Sequence, residues 1–189
     1  MTYDPLQHHR RSIRLRGFDY RQAGFYFITL CTQGKEYLFG RIIESKMVLN
    51  AAGKMVEKEW IALPMRFPNI KLHDYIIMPN LFHGIIEIVG ATLVVAQNAV
   101  EMAAANEQAK DSLPAQGQPQ GLPLLISAFK SISTLKYTHG VTTQNWPPFN
   151  QRLWQRNYWE RIIRDEKEYH HLADYIQNNP LNWDTDRLK

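Results

Sequence analysis

The segment Tyr169-His-His-Leu-Ala-Asp-Tyr-Ile-Gln-Asn-Asn-Pro180 carries side chains suited to nucleophilic chemistry. On a helix, His171, Tyr175 and Asn179 stand at i, i+4 and i+8 and share one face. A phenol attacks an electrophile once a neighbouring base or metal assists it. An amide oxygen one turn away can ligate a hard cation. The same spacing also suits a half-buried core tyrosine, and the segment alone leaves both readings open.

A second group lies in Met78-Pro-Asn-Leu-Phe-His-Gly-Ile-Ile-Glu87. On a strand, alternate side chains face opposite ways, so Leu81 and His83 share a face and Phe82 takes the other. A lone histidine such as His83 is more often a structural imidazole than a metal ligand. Two basic stretches complete the inventory. His8 to Arg21 holds Arg10, Arg11, Arg14, Arg16 and Arg21, and reads as a solvated tail or as an arm that grips phosphate. Gln151 to Arg164 interleaves Arg152, Arg156, Arg161 and Arg164 with Trp154, Tyr158 and Trp159. Rings that stack on unpaired bases beside cations that hold phosphate are the pattern of single-strand binding. A core of tryptophans under a solvated charged face accounts for the same letters.

The elements that must position these residues follow from patterning. Phe25 to Thr32 is rich in aromatic and β-branched residues and predicts a core strand. Phe39 to Leu49 is a weaker extended segment, a turn or hairpin. Asn50 is a good N-cap for a helix running through Trp60, with Val56, Trp60 and Leu63 at helical spacing and Pro64 ending the run. Ile70 to Met78 and Phe82 to Val89 predict two strands joined at Pro79-Asn80, antiparallel because the connection is too short for a crossover. Leu124 to Tyr137 is helical by pattern, with Leu125, Phe129, Ile132 and Leu135 on one face and Lys130 and Lys136 free to turn toward a polyanion. Thr138 to Asn150 reads as a loop and Gln151 to Arg156 as a short strand. A last helix or helix pair covers Tyr158 to Asn178, before Pro180. This order predicts an α+β fold, a ferredoxin-like antiparallel sheet with helices packed on one face.

The 189 residues suit a single domain over 1–189. Thr92 to Gly121, rich in Ala, Gln, Pro and Gly without periodicity, reads as a flexible insertion or linker within it. The net charge of +4 is compatible with nucleic acid as a partner. A lone cysteine, Cys31, rules out a disulfide framework within the chain and fits a reducing cytoplasm. No apolar run approaches the ~20 residues of a membrane span, and no secretory signal is visible.

Taken together, Arg10-Arg-Ser-Ile-Arg-Leu-Arg16, Tyr26-Phe-Ile-Thr-Leu-Cys-Thr32, Met78-Pro-Asn80, Phe82-His-Gly-Ile-Ile86, Leu153-Trp-Gln-Arg-Asn-Tyr158, Asp174-Tyr-Ile176 and Asn179-Pro180 resemble the REP-associated tyrosine transposases, within the HUH nuclease superfamily. Each motif is weak alone; the ordered combination is specific and spans nearly the whole chain apart from the Thr92 to Gly121 insertion. The resemblance implies cleavage and rejoining of single-stranded DNA at hairpin-forming REP palindromes through a 5′-phosphotyrosine. It carries the nucleophile onto Tyr175, with Tyr158 and Tyr169 as runners-up. It carries the ligands of Mg²⁺ or Mn²⁺ onto Leu81, His83 and Asn179, and DNA binding onto Arg10, Arg11, Arg14, Arg16, Arg152, Trp154 and Arg156.

The chain departs from that pattern at Leu81, which stands where the family's first metal-binding histidine lies and has no donor atom. Loss of even an outer partner typically costs about 10–100-fold in metal affinity or activity. The expectation is a weakened metal site and impaired cleavage, with His171 as a candidate stand-in ligand. The alternative is a hairpin-binding protein that no longer nicks, acting as monomer or homodimer.

Overall fold

In the strand Gly24–Cys31 (β1), apolar side chains run almost without interruption instead of alternating with polar ones. That is the signature of a strand covered on both faces, and both faces are covered. A computed structural model describes residues 18–89 and 121–185. The arginines Arg10, Arg11, Arg14 and Arg16 and all but the last residue of the expected 92–121 insertion lie outside the described residues.

After β1 the chain forms a small hairpin, Gly40–Ile43 (β2) and Lys46–Leu49 (β3). Helix α1 (Ala51–Ile61) starts at the expected cap: Asn50 Oδ1 accepts from the Gly53 N–H at 2.8 Å. Pro64 does not simply stop this run. It sits in the first turn of a short second helix, α2 (Leu63–Arg66), where a missing N–H costs nothing. Strands β4 (Ile70–Ile77) and β5 (Leu81–Ile88) follow, then the long helix α3 (Leu122–Gln144), strand β6 (Trp159–Ile163) and helix α4 (Glu166–Asn178).

The main sheet has the order β4-β5-β1-β6, antiparallel throughout. This is the expected antiparallel α+β sheet. Its helices divide between the two faces, a difference from the one-face arrangement expected. Tyr26, Ile28 and Leu30 of β1 join Phe82 and Ile86 of β5 in a core with Val56 and Trp60 of α1 and Leu125 and Phe129 of α3. Phe27 and Ile85 face the other way and pack with Ile163 beneath Leu172, Ala173 and Ile176 of α4. Gly84 is required by the first core, because a Cβ there would lie 2.8 Å from Trp60 Cζ2.

Three further expectations are corrected. Helix α3 continues through the stretch expected to be a loop and ends at Asn145, whose left-handed φ of 54° suits an asparagine. Its buried face runs through Leu125, Phe129, Ser133 and Tyr137, while Leu135 is exposed. Ser133 made that face look polar; its hydroxyl donates to the Phe129 carbonyl and accepts from Trp154 Nε1 at 2.9 Å, so it is satisfied inside the core. The expected strand at Gln151 to Arg156 is reduced to one bridge, Thr32 to Trp154, and the true edge strand is β6, within the segment expected to begin the last helix. The helix proper begins at Glu166, capped by Asp165 Oδ1.

Candidate active site

Helix α4 and strand β5 bring Tyr175 and His83 together. The Tyr175 hydroxyl lies 3.5 Å from His83 Nε2, at the long end of hydrogen-bonding range. His83 is 1 % exposed and Tyr175 is 38 % exposed, so an interior imidazole meets a phenol that solvent can reach. The imidazole is fixed from its other side: Nδ1 and Thr29 Oγ1 share a 2.8 Å hydrogen bond across the β1–β5 pair, where Thr29 and His83 stand in register. Phe27 stacks on the His83 ring with centroids 5.4 Å apart, and presents its edge to Tyr175. In the tautomer whose Nδ1–H donates to Thr29 Oγ1, Nε2 can accept from a phenol, the arrangement a general base needs.

Two anchors hold the helix that carries Tyr175. A bulge between Leu72 and Tyr75 interrupts strict alternation in β4. The adjacent residues His73 and Asp74 thereby both reach α4. Tyr169 donates its hydroxyl to Asp74 Oδ2 at 3.3 Å and lies 3.1 Å from His73 Nδ1. Gln177 donates to Asp74 Oδ1 at 3.0 Å, so Asp74 grips the helix on both sides of Tyr175. His73 Nε2 continues to Glu87 at 3.1 Å. Burial first, then the Asp74 and Glu87 carboxylates, push the Tyr169 phenol above its ordinary pKa. Tyr169 is thus a neutral hydrogen-bond donor to the sheet. At the helix N-terminus, Glu168 accepts from the Arg164 N–H and pairs with Arg161 of β6.

Leu81 is fully buried with Cys31, Met78 and Trp183. The position that would offer a second imidazole is therefore a closed apolar cluster. Asn179 caps α4 one turn beyond Tyr175 and is 2 % exposed. His171 is exposed. Among the described residues, no three His, Cys, Asp or Glu side chains are grouped to hold a metal. The donor set does not fit a two-histidine metal centre, and His83 Nε2 already faces the phenol.

The residues expected to bind DNA separate. Arg152 and Arg156 are exposed. Trp154 is not available to a base: it is 3 % exposed in the core. Tyr158 is buried as well. Lys130, expected to face DNA, donates to the Gln155 and Arg156 carbonyls, and Lys136 pairs with Glu59. Sequence reasoning missed Thr29, whose signal is a hydroxyl in an otherwise apolar strand. It also grouped Trp159 with the buried Trp154; Trp159 is 66 % exposed.

With this geometry in hand, the chain is 42 % identical to an uncharacterised protein of Haemophilus influenzae, over 98 % of this chain and 96 % of that one. The two belong to one family. A shorter match, 33 % identical over 63 residues and covering 33 % of each protein, is to a REP-associated tyrosine transposase of Escherichia coli K12. No family model matches the chain. Among solved structures, a REP-associated tyrosine transposase bound to a REP hairpin aligns over 90 % of this chain and 74 % of its own, with a TM-score of 0.54 and 18 % identity. At that identity the likeness establishes a shared fold. No helix among the described residues is long and apolar enough to cross a membrane.

Proposed function

We propose that this chain is a transposase-like DNA-binding protein that holds a REP-type hairpin with its single-stranded flank and attacks the strand with Tyr175. The observation that carries this reading is the phenol of Tyr175 set against Nε2 of a buried, oriented His83. The shared fold with a transposase solved on a REP hairpin supports the substrate class.

In the proposed step, the Tyr175 oxygen forms a bond to phosphorus and the P–O3′ bond breaks. The phenol proton passes to His83 Nε2, and the departing 3′ oxygen takes a proton from solvent to become a 3′-hydroxyl. The product is a 5′-phosphotyrosine. A 3′-hydroxyl end reverses the step and rejoins DNA without ATP. A positioned base of this kind contributes about 10²–10⁴-fold. Mg²⁺ or Mn²⁺ would meet only His83 and Asn179 of the expected ligands, and its hold would be weak.

Leu81 favours a second reading, a hairpin-binding protein without nicking activity. The two separate on a denaturing gel after incubation with a labelled hairpin oligonucleotide. A shifted covalent band that disappears in Tyr175→Phe supports cleavage. Hairpin binding with no such band, with or without Mn²⁺, leaves the binding protein and rejects the nucleophile.

A further inference from the structure

Directly opposed residues on antiparallel strands share a face and stand close together. Thr29 of β1 is opposed to His83 on one side and to Trp159 on the other. His83, Thr29 and Trp159 therefore form one row across three strands, on the face where Tyr175 lies. Two strand spacings, about 10 Å, separate the His83 and Trp159 backbones. Trp159 is the first residue of the edge strand, and the cover over that strand stops short of it: Ile163, at the other end, packs under α4, while Trp159 is 66 % exposed. Trp60, Trp154 and Trp183 are all at most 4 % exposed.

We propose that Trp159 is the stacking platform for an unpaired base of the DNA strand, next to the phosphate that Tyr175 addresses. This deepens the functional reading above and rests on it. The Trp159 ring is open to solvent on the sheet face that carries His83, and indole stacks on any base face. The surroundings suit a polyanion. Arg156 and Arg164 are exposed nearby in sequence, and Arg161, which shares the Trp159 face two residues along, is 65 % exposed although paired with Glu168. The approach to β6 is tethered, because the Lys130 ammonium donates to the Gln155 and Arg156 carbonyls at 2.6 and 3.0 Å. A preordered platform loses little conformational freedom on binding.

The test uses the full chain and a hairpin oligonucleotide with a single-stranded flank, together with a set in which one abasic site is walked along that flank. Affinity is read by anisotropy for wild type, Trp159→Ala and Trp159→Phe, with thermal melts confirming that each variant folds. The expected result is a loss of about 5- to 150-fold for Trp159→Ala, the span of base–aromatic stacking, and near-retention for Trp159→Phe. One abasic position should reproduce the loss in wild type and add nothing in Trp159→Ala. Equal affinity of wild type and Trp159→Ala overturns the platform, as does a loss in Trp159→Ala that every abasic oligonucleotide shares. Absence of hairpin binding by the folded wild type at low salt instead overturns the functional reading, and the platform with it.

Discussion

Tyr175 Oη and His83 Nε2 lie 3.5 Å apart although 92 residues separate them in the chain. Helix α4 supplies the phenol, β5 supplies the imidazole, and Thr29 holds the imidazole from behind. Orientation of a base by a third group typically matters more for rate than for binding. Thr29→Val keeps the shape of the side chain and removes the bond to Nδ1. Its expected effect is a drop of about 10-fold or more in the rate of covalent adduct formation, with hairpin affinity unchanged. A parallel loss of rate and affinity in single-turnover and binding assays would count against an orienting role.

Leu81 gives a second, opposing pair of effects. It is fully buried among Cys31, Met78 and Trp183. Leu81→His should therefore destabilise the fold by about 2–4 kcal/mol in EDTA, from lost apolar burial and a buried imidazole. The new ring would also share the sheet face of His83. Added Mn²⁺ should recover part of the melting temperature, since a ligand at 100 times its dissociation constant contributes about 2.7 kcal/mol, and should raise adduct formation. Identical melts with and without Mn²⁺ would mean that positions 81 and 83 do not form a metal site.

Much of the scaffold was legible because its signals are local. Asn50 before Ala51 announces a cap, and the Ile70 and Phe82 strands flank a short turn. The Tyr175–His83 pairing was legible only through the resemblance, because no spacing rule links positions so far apart in sequence. The failures have physical causes. Ser133 hid the buried face of α3, because a serine bonded to its own helix backbone costs little to bury. Glu160 and Arg161 gave β6 a surface-helix look, whereas the strand is recruited by pairing with β1 along an exposed edge. Trp154 and Trp159 are the same residue type five positions apart. One finds Ser133 inside the core and the other stays in solvent, and only tertiary packing distinguishes them.

The grip of Asp74 on Tyr169 and Gln177 predicts a separable effect on helix α4. Asp74→Ala removes two bonds to partly exposed groups and should cost about 1–2 kcal/mol. Amide exchange should accelerate in α4 but not in α1, and adduct formation should fall while hairpin affinity holds. Uniform acceleration across both helices would mean that Asp74 stabilises the whole fold instead of seating this helix.

The basic N-terminal stretch invites a measurement by salt titration. If Arg10, Arg11, Arg14 and Arg16 contact phosphate, replacing the four by alanine should weaken hairpin binding regardless of sequence. Each lost contact should reduce the slope of log affinity against log salt by about 0.7 on single-stranded DNA and about 0.9 on duplex. An unchanged slope would assign these arginines to another task.

Stability in acid should depend on Glu59, a buried carboxylate that receives Arg66 at 3.1 Å and the Lys136 ammonium. Burial alone would raise its pKa; the hydrogen bonds from Lys136 and Arg66 outweigh that and hold it below the ordinary value of 4.5. A carboxyl depressed in the folded state binds protons more readily when unfolded, so its contribution is present above the unfolded pKa. It is lost as pH falls through the folded value. Unfolding free energy should thus decline as pH drops below about 4.5, and Glu59→Gln should flatten that decline. At neutral pH the same substitution should cost about 1–3 kcal/mol, since it removes charge-assisted bonds while its partners, at 46 % and 38 % exposure, regain water. Urea melts of both proteins between about pH 3 and about pH 7 measure the two effects together. A Glu59→Gln curve parallel to wild type through the acid range would show that other carboxyls govern it.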